Sequence, residues 1–242
     1  MRRNVASLVD APTGKRKGRP SKSLTLQQAQ DVLRAVKGTR MEAYVVLSLV
    51  TGTRTEEIRA LRRADVDLDG DPDGNPPVPP HIDVWRSVRA HGDTKTEKSR
   101  RTLALPQIAV DALRAHQLAQ EEARGKAGNR WNEDRYVFAT AAGTAMDNAN
   151  VRRDFRAVLA KVDGIDPRDW TPRELRHSFV SMLSDSGVAI EEIARLAGHS
   201  SSRTTEVVYR KQLRPVLQTG AIVMDGIFRG NTLDERPVSE VI

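Results

Sequence analysis

Several separated segments of this sequence carry residues whose types and spacing suit the binding of an anionic group. In TGTRTEE, Arg54 stands between a glycine-containing turn and a predicted helix start, with Glu57 three residues later. Side chains at this spacing can meet on one helix face, so the carboxylate could fix the guanidinium as a fork for two phosphate oxygens. Alone, such a pair is more often a surface ion pair that contributes well under ~1 kcal/mol.

The segment RELRHSF gathers cationic groups on one helix face. Arg173 and Arg176 are three residues apart, and His177 is four residues after Arg173. Like charges at this spacing repel each other unless an anion lies between them, which favours an anionic ligand. A solvated basic face is the ordinary alternative, and the segment alone does not exclude it.

Two residues near the end of the sequence could serve in proton transfer and nucleophilic attack. His199 in LAGHS follows a predicted helix end, and histidine can exchange a proton near neutral pH. Tyr209 in TTEVVYRK has two basic neighbours, and a tyrosine needs cations or a base to become a useful nucleophile. Each of these two residues, taken alone, is more often a packing or capping residue.

A lysine in the loop TKTEKSRR could reach a DNA groove and a reacting phosphate. Loops on a rigid scaffold often carry such groups. Lys95 and Lys98 are equal candidates on chemistry alone, and a solvated lysine is the default for both. The residues by themselves leave this choice open.

The composition excludes thiol chemistry. The 242 residues include no cysteine, so disulfides, thiolate catalysis and cysteine-based zinc sites are ruled out. Lys and Arg total 39 against 32 Asp and Glu, a formal charge of +7 that weakly favours a polyanionic partner. The opening stretch at 1–22 has no apolar core of signal-peptide length, and no segment approaches 18 uninterrupted apolar residues, so we expect a cytoplasmic protein with no membrane partner. The expected location within a bacterial cell is the nucleoid.

The elements that must position these residues follow from the apolar periodicity. Thr25 and Gln28 form a predicted capping box for a first helix that stops near Gly38. A second helix is predicted to end near Gly52, and a third opens at Thr55. Residues 81–88 and 101–105 predict a β-hairpin around a long loop. Further helices are predicted at 108–123, at 148–162, from Pro172 to Gly187, and through IEEIARLAG, with a short extended piece at 136–138.

These elements predict a mixed α+β fold that is mainly α-helical with a small antiparallel β-sheet. Taken in order, TGTRTEE, TKT, RELRH, LAGHS and VVY resemble the catalytic domain of the tyrosine recombinase, or phage integrase, family. The family pattern is TGxRxxE, a hairpin lysine in a T-K-T context, HxxRH, LGHxS and then a nucleophilic tyrosine. The resemblance extends from Thr25 to about Lys211 and implies the tyrosine recombinase catalytic-domain fold.

The resemblance implies a role for each residue singled out above. Arg54 and Arg176 hold the scissile phosphate, Tyr209 attacks it, and Lys95, favoured over Lys98 by its T-K-T context, protonates the leaving 5′ oxygen. His199 supports the phosphate or the tyrosine. Glu57 and His177 are expected to support these catalytic residues.

Arg173 departs from the family pattern, which usually has histidine there. Arginine keeps the positive charge and hydrogen-bond donors but cannot act as a general base, so any base role passes to His199 or water. Fixed arginines can stabilise the charge of the transition state without a metal, and a 3′-phosphotyrosine conserves the energy of the broken bond. We therefore expect transesterification with no cofactor, no metal and no ATP.

Three regions are predicted along the chain: a basic linker at 1–23, the catalytic domain at 24–217 and a C-terminal tail at 218–242. The tail's GAIVMDGIF could dock on a neighbouring chain or on its own domain. Family members usually carry an N-terminal DNA-binding clamp domain, so we expect a catalytic-domain fragment or a truncated product. The linker's basic residues could follow a DNA backbone or minor groove, although a solvated tail fits equally; they are Lys15, Arg16, Lys17, Arg19 and Lys22.

The expected partner is double-stranded DNA at a specific recombination site. Four recombinase chains are expected to bind it together in a synapse, and the isolated chain is expected to be a monomer. Accessory DNA-bending proteins are further candidates. Two other functions remain open: a noncatalytic DNA-binding remnant that lacks its clamp domain, and DNA relaxation of the type IB topoisomerase kind. The resemblance implies a role in DNA integration or excision.

Overall fold

The computed structural model describes residues 22–88, 100–132 and 135–198. Within these ranges the chain forms the seven predicted α-helices and a small antiparallel sheet, which has three strands where the sequence predicted the two of a hairpin. The elements are α1 (Leu26–Val36), α2 (Glu42–Thr51), α3 (Thr55–Ala60), β1 (Val66–Asp67), β2 (His81–Val84), β3 (Arg101–Ala104), α4 (Gln107–Ala127), α5 (Asn148–Leu159), α6 (Arg173–Asp185) and α7 (Ile190–Ala197).

The predicted capping box at the start of α1 is confirmed. The Thr25 hydroxyl accepts a hydrogen bond from the Gln28 amide at 3.2 Å, and the Gln28 side chain accepts one from the Thr25 amide at 3.0 Å. Just before it, the Leu24 side chain is buried, and its amide donates to Ser178 Oγ of α6 at 2.8 Å. The start of the described chain is thereby attached to the helix that carries Arg173 and Arg176.

The central helix of the core is α2, whose apolar sequence EAYVVLSLVT is buried along most of its length. It packs against α4 on one side and α6 on another. It ends at Gly52, which adopts the left-handed conformation with φ of 60°. A methyl group at Gly52 would lie 2.3 Å from the Phe179 ring, so the turn and α6 approach each other as closely as glycine permits.

The sheet is antiparallel in the order β1-β2-β3. Ile82, Val84 and Leu103 face the core, so alternate residues of β2 and β3 point inward. The predicted strand at 81–88 ends early, at Val84, because the Val88 amide bonds to the Glu56 carbonyl of α3 instead of crossing the hairpin. Strand β1 was not predicted, since two residues are too few to show an alternating pattern.

The other differences concern element ends. Helix α4 continues to Ala127, beyond the predicted end at 123, and α5 stops at Leu159 instead of 162. Pro172 is the cap residue before α6, not its first residue. The short extended piece near Val137 bridges to the chain after α3, since its amide donates to the Leu61 carbonyl at 3.0 Å. None of the helices in the described part is long and apolar enough to cross a membrane.

Candidate active site

The structure contains the predicted ion pair between Arg54 and Glu57, and the Glu57 carboxylate is buried. Arg54 is the extended residue before α3, and the Glu57 carboxylate accepts from both its amide (2.9 Å) and its Nη1 (2.7 Å). The Glu57 side chain is only 3% exposed. An ion pair in this setting is fixed far more firmly than the surface pair that the spacing alone would favour.

Arg101, which the sequence did not single out, is the second arginine on Glu57. Its Nη2 lies 2.9 Å from Glu57 Oε2 and its Nη1 3.3 Å from Oε1, while its Nε donates to the Leu196 carbonyl at 2.8 Å. The side chain is 8% exposed. One signal was available: Arg101 is two residues before the apolar Leu103 on a strand, and alternation puts both on the inward face.

Arg176 reaches the same place from α6. Its Nη1 donates to the Gly52 carbonyl at 2.6 Å, and its Nη2 is buried with no hydrogen-bond partner in the described part of the chain. Burial, reinforced by the positive charges of Arg54 and Arg101, lowers the pKa of Arg176 to about 9. The guanidinium therefore stays protonated at pH 7 and has a buried donor available.

The electrostatic balance at this cluster is positive. Burial alone would raise the pKa of Glu57, but the charge and hydrogen bonds of Arg101, followed by those of Arg54, bring it below its usual value. Glu57 is therefore ionised at neutral pH. Its single negative charge faces the positive charges of Arg54, Arg101 and Arg176, so the cluster suits a bound anion.

Arg173 and His177 lie on α6 near this cluster. The Arg173 side chain is exposed, and its charge lowers the pKa of Arg176. His177 is buried, and this burial, followed by the charge of Arg173, lowers its pKa to about 4. His177 is accordingly a neutral imidazole at pH 7, able to hydrogen-bond but carrying no charge.

The end of α7 completes the described part of the site. Gly198 ends the helix in the left-handed conformation with φ of 65°, and its carbonyl accepts from Arg54 Nη2 at 2.6 Å. A methyl group at Gly198 would lie 2.8 Å from Arg101 Nη1. Two arginines thus contact the turn that immediately precedes His199 in the sequence.

The remaining predicted site residues lie outside the described residues: Lys95, Lys98, His199, Tyr209, Lys15, Arg16, Lys17 and Arg19. Lys22 is described, and its ammonium lies 2.5 Å from Asp169 Oδ2. The C-terminal tail at 218–242 also falls outside the described ranges. Within those ranges, no group of three His, Asp or Glu side chains is placed to hold a metal ion.

This helical fold with its small sheet is the fold of tyrosine recombinase catalytic domains. The crystal structure of XerA recombinase aligns with a TM-score of 0.61 and 26% identity, over 86% of this chain and 65% of that chain. The Tn1549 transposon integrase in complex with transposon right end DNA aligns with a TM-score of 0.67 and 19% identity, over 93% of this chain and 70% of that chain.

The family model described as "Phage integrase family" matches residues 22–214, and the chain belongs to that family. An integrase of Streptomyces ambofaciens is 58% identical over 229 residues, which make up 95% of this chain and 59% of the relative. The chain therefore spans less than two thirds of that relative's length.

Proposed function

We propose that this chain is the catalytic part of a site-specific DNA recombinase that cleaves and rejoins double-stranded DNA through Tyr209. The observation that carries the proposal is the Nη2 of Arg176, a buried cationic donor without a partner among the described residues, set beside Arg54 and Arg101. A buried unsatisfied donor costs roughly 1–3 kcal/mol. A phosphodiester oxygen would remove that cost and offset the positive charge.

In this mechanism the arginines act as fixed electrostatic groups. Arg54 is held by Glu57 and by the Gly198 carbonyl, and Arg176 is held by the Gly52 carbonyl. Because these contacts exist before DNA binds, little reorganisation is needed as negative charge grows on the nonbridging oxygens. Arg173, exposed at the edge of the cluster, is assigned the position that histidine usually occupies in the family.

The proposed reaction exchanges one phosphodiester for another. The Tyr209 oxygen attacks phosphorus, its proton passes to His199 or water, and the bond from phosphorus to the 5′ oxygen breaks. Lys95 gives a proton to that oxygen, which leaves a 5′ hydroxyl and a 3′-phosphotyrosine. Attack by a 5′ hydroxyl reverses these steps, so neither ATP nor net hydrolysis is required.

The proposed partner is duplex DNA at a specific site, in a synapse of four recombinase chains that are monomers in isolation. The DNA complex of the Tn1549 integrase, which shares this fold, supports the choice of DNA. The three-region division of the chain and the backbone contacts of the basic linker are part of the same proposal, as is a cytoplasmic location. Two alternatives are a noncatalytic DNA-binding remnant and a DNA-relaxing enzyme.

Covalent capture tests the proposal. The chain is incubated with nicked suicide duplexes tiled across both flanks of its coding sequence, and protein–DNA adducts are resolved on denaturing gels. We expect an adduct that Tyr209→Phe abolishes and that Arg114→Ala, a change on α4 away from the arginine cluster, leaves intact. DNA binding without any adduct would favour the remnant, and relaxation of a supercoiled plasmid that depends on Tyr209 would favour the relaxing enzyme.

A further inference from the structure

Arg101 connects three parts of the site that are far apart in the sequence. It begins β3, its guanidinium binds both oxygens of Glu57 at the start of α3, and its Nε binds the Leu196 carbonyl at the end of α7. Glu57 in turn holds Arg54. Through one planar side chain, the strand that follows the hairpin loop is joined to Arg54 and to the turn before His199.

We propose that Arg101 is a positioning residue for strand cleavage, acting through Glu57 on Arg54 and through the Leu196 carbonyl on the end of α7. This inference rests on the proposed function. The planar guanidinium of Arg101 explains why arginine occupies this position. Its Nη1 and Nη2 bind the Glu57 carboxylate while its Nε, in the same rigid plane, binds the Leu196 carbonyl. A lysine has one nitrogen and cannot reproduce this arrangement.

The geometry around Glu57 distinguishes this role from simple core packing. Arg54 and Arg101 share the two oxygens of one carboxylate, so the orientation of either guanidinium depends on the other. Loss of Arg101 leaves the Glu57 carboxylate held by Arg54 alone, through the Arg54 amide and Nη1, without the second guanidinium that fixes its position. The Arg54 guanidinium then loses one of the restraints on its direction, and a displacement of about 1 Å in such a group lowers a rate by roughly 10²-fold.

The end of α7 is the second point of action. Arg54 Nη2 and Arg101 Nε bind the Gly198 and Leu196 carbonyls, two of the groups that a helix end leaves without partners inside the helix. Glycine at 198 allows Arg101 Nη1 to approach within 2.8 Å of the place where a side chain would begin. Removing Arg101 is expected to loosen this turn without unfolding α7.

The kinetic test compares Arg101→Ala and Arg101→Lys with wild type in single-turnover adduct formation on suicide DNA. We expect both variants to slow the reaction roughly 10- to 100-fold while DNA affinity changes little, because Arg101 does not touch DNA in this proposal. Arg114→Ala is the matched control, since Arg114 also binds one carbonyl and one carboxylate, those of Leu68 and Asp69. Thermal unfolding of each variant reports any loss of folded protein.

A double-mutant cycle separates positioning from general stability. If Arg101 acts through Arg54, its removal in an Arg54→Lys background should cost much less than in wild type. Losses that simply multiply would overturn the proposal, as would a wild-type rate in Arg101→Ala.

A measurement without DNA keeps this inference separate from the proposed function. Amide exchange of the segment ending at Gly198 should accelerate in Arg101→Ala and not in Arg114→Ala. If wild type forms no adduct, the proposed function fails. If, in addition, amide exchange of this segment is the same in Arg101→Ala as in wild type, the anchoring of α7 by Arg101 is refuted as well. Faster exchange with normal adduct rates would show an anchor without a positioning role, which likewise overturns the proposal.

Discussion

Arg176 Nη1 donates a 2.6 Å hydrogen bond to the carbonyl oxygen of Gly52, so the arginine of α6 is fixed on the turn that ends α2. The two residues are 124 positions apart in the sequence. The turn is kept in place by close packing, because Gly52 lies against the Phe179 ring of α6. The direction of the Arg176 guanidinium therefore depends on Gly52, which acts through its backbone carbonyl and through the close packing that its missing side chain allows.

Gly52→Ala is expected to destabilise the protein by about 2–4 kcal/mol, because a methyl group meets both the left-handed backbone and the Phe179 ring. Gly164→Ala is the control: Gly164 has φ of 74° with nothing within 4 Å of the added methyl group, so only the backbone cost of about 1–2 kcal/mol applies. Urea unfolding measures both. Equal losses would contradict the close packing.

Arg173→His is expected to retain much of the strand-cleavage activity, whereas Arg176→Ala loses nearly all of it. Arg173 is exposed and can be replaced by another donor, while Arg176 is buried with its donors fixed. Suicide-substrate adduct yield is the measurement, with folded fractions checked by circular dichroism. Equal loss in the two variants would show that Arg173 has been assigned the wrong role.

The parts of this site that could be predicted from sequence are those set by local spacing. The pair of Arg54 and Glu57 follows from a three-residue separation at a helix start, and the helical face of Arg173 and Arg176 follows in the same way. Arg101 binds Glu57 across 44 residues, and no local rule encodes that distance. Its inward position on β3 was readable from alternation, but its partner was not.

Stability should fall as the pH drops from about 6.5 to about 4 because of His177. Its pKa of about 4 in the folded protein lies below the ordinary value of 6.5, so the unfolded chain binds a proton that the folded chain excludes. The contribution is complete above pH 6.5 and disappears as the pH falls through 4, with a slope of about 1.4 kcal/mol per pH unit between them.

His177→Asn is expected to remove this slope from urea unfolding measured between pH 4 and pH 7. Burial also lowers the pKa of His116, so part of the acid sensitivity belongs to that residue. His116→Asn is therefore the comparison variant. Its free energy of unfolding should still show the part of the pH dependence that His177 contributes. A slope unchanged by His177→Asn would show that His177 titrates normally in the folded protein.

Lys95→Ala should be rescued by a DNA substrate whose 5′ bridging oxygen is replaced by sulfur. A thiolate is a better leaving group than an alkoxide and needs less acid assistance, so the loss caused by removing the proposed acid should shrink. The ratio of adduct rates on the two substrates is the measurement, and Lys98→Ala is the control. Rescue of Lys98→Ala instead would move the assignment to Lys98.

The larger architecture was predictable because long apolar patterns specify long elements. The capping box of α1, the buried sequence of α2 and the glycine stops at Gly52 and Gly198 all appear where the sequence indicates. Short elements were missed, or given the wrong ends, where tertiary contacts determine the bounds of the element. Strand β2 ends at Val84 because Val88 bonds to α3, and such a competition between two backbone partners leaves no local pattern.

Ser178 Oγ accepts from the Leu24 amide and donates to the Glu174 carbonyl, both at 2.8 Å. The point where the described chain begins is thereby coupled mechanically to the middle of α6. A tension applied along the backbone before Leu24 would be borne by this helix, on which Arg173 and Arg176 stand within two turns of Ser178. Part of any strain arriving from that direction would therefore pass to the helix that carries the arginines proposed to bind phosphate.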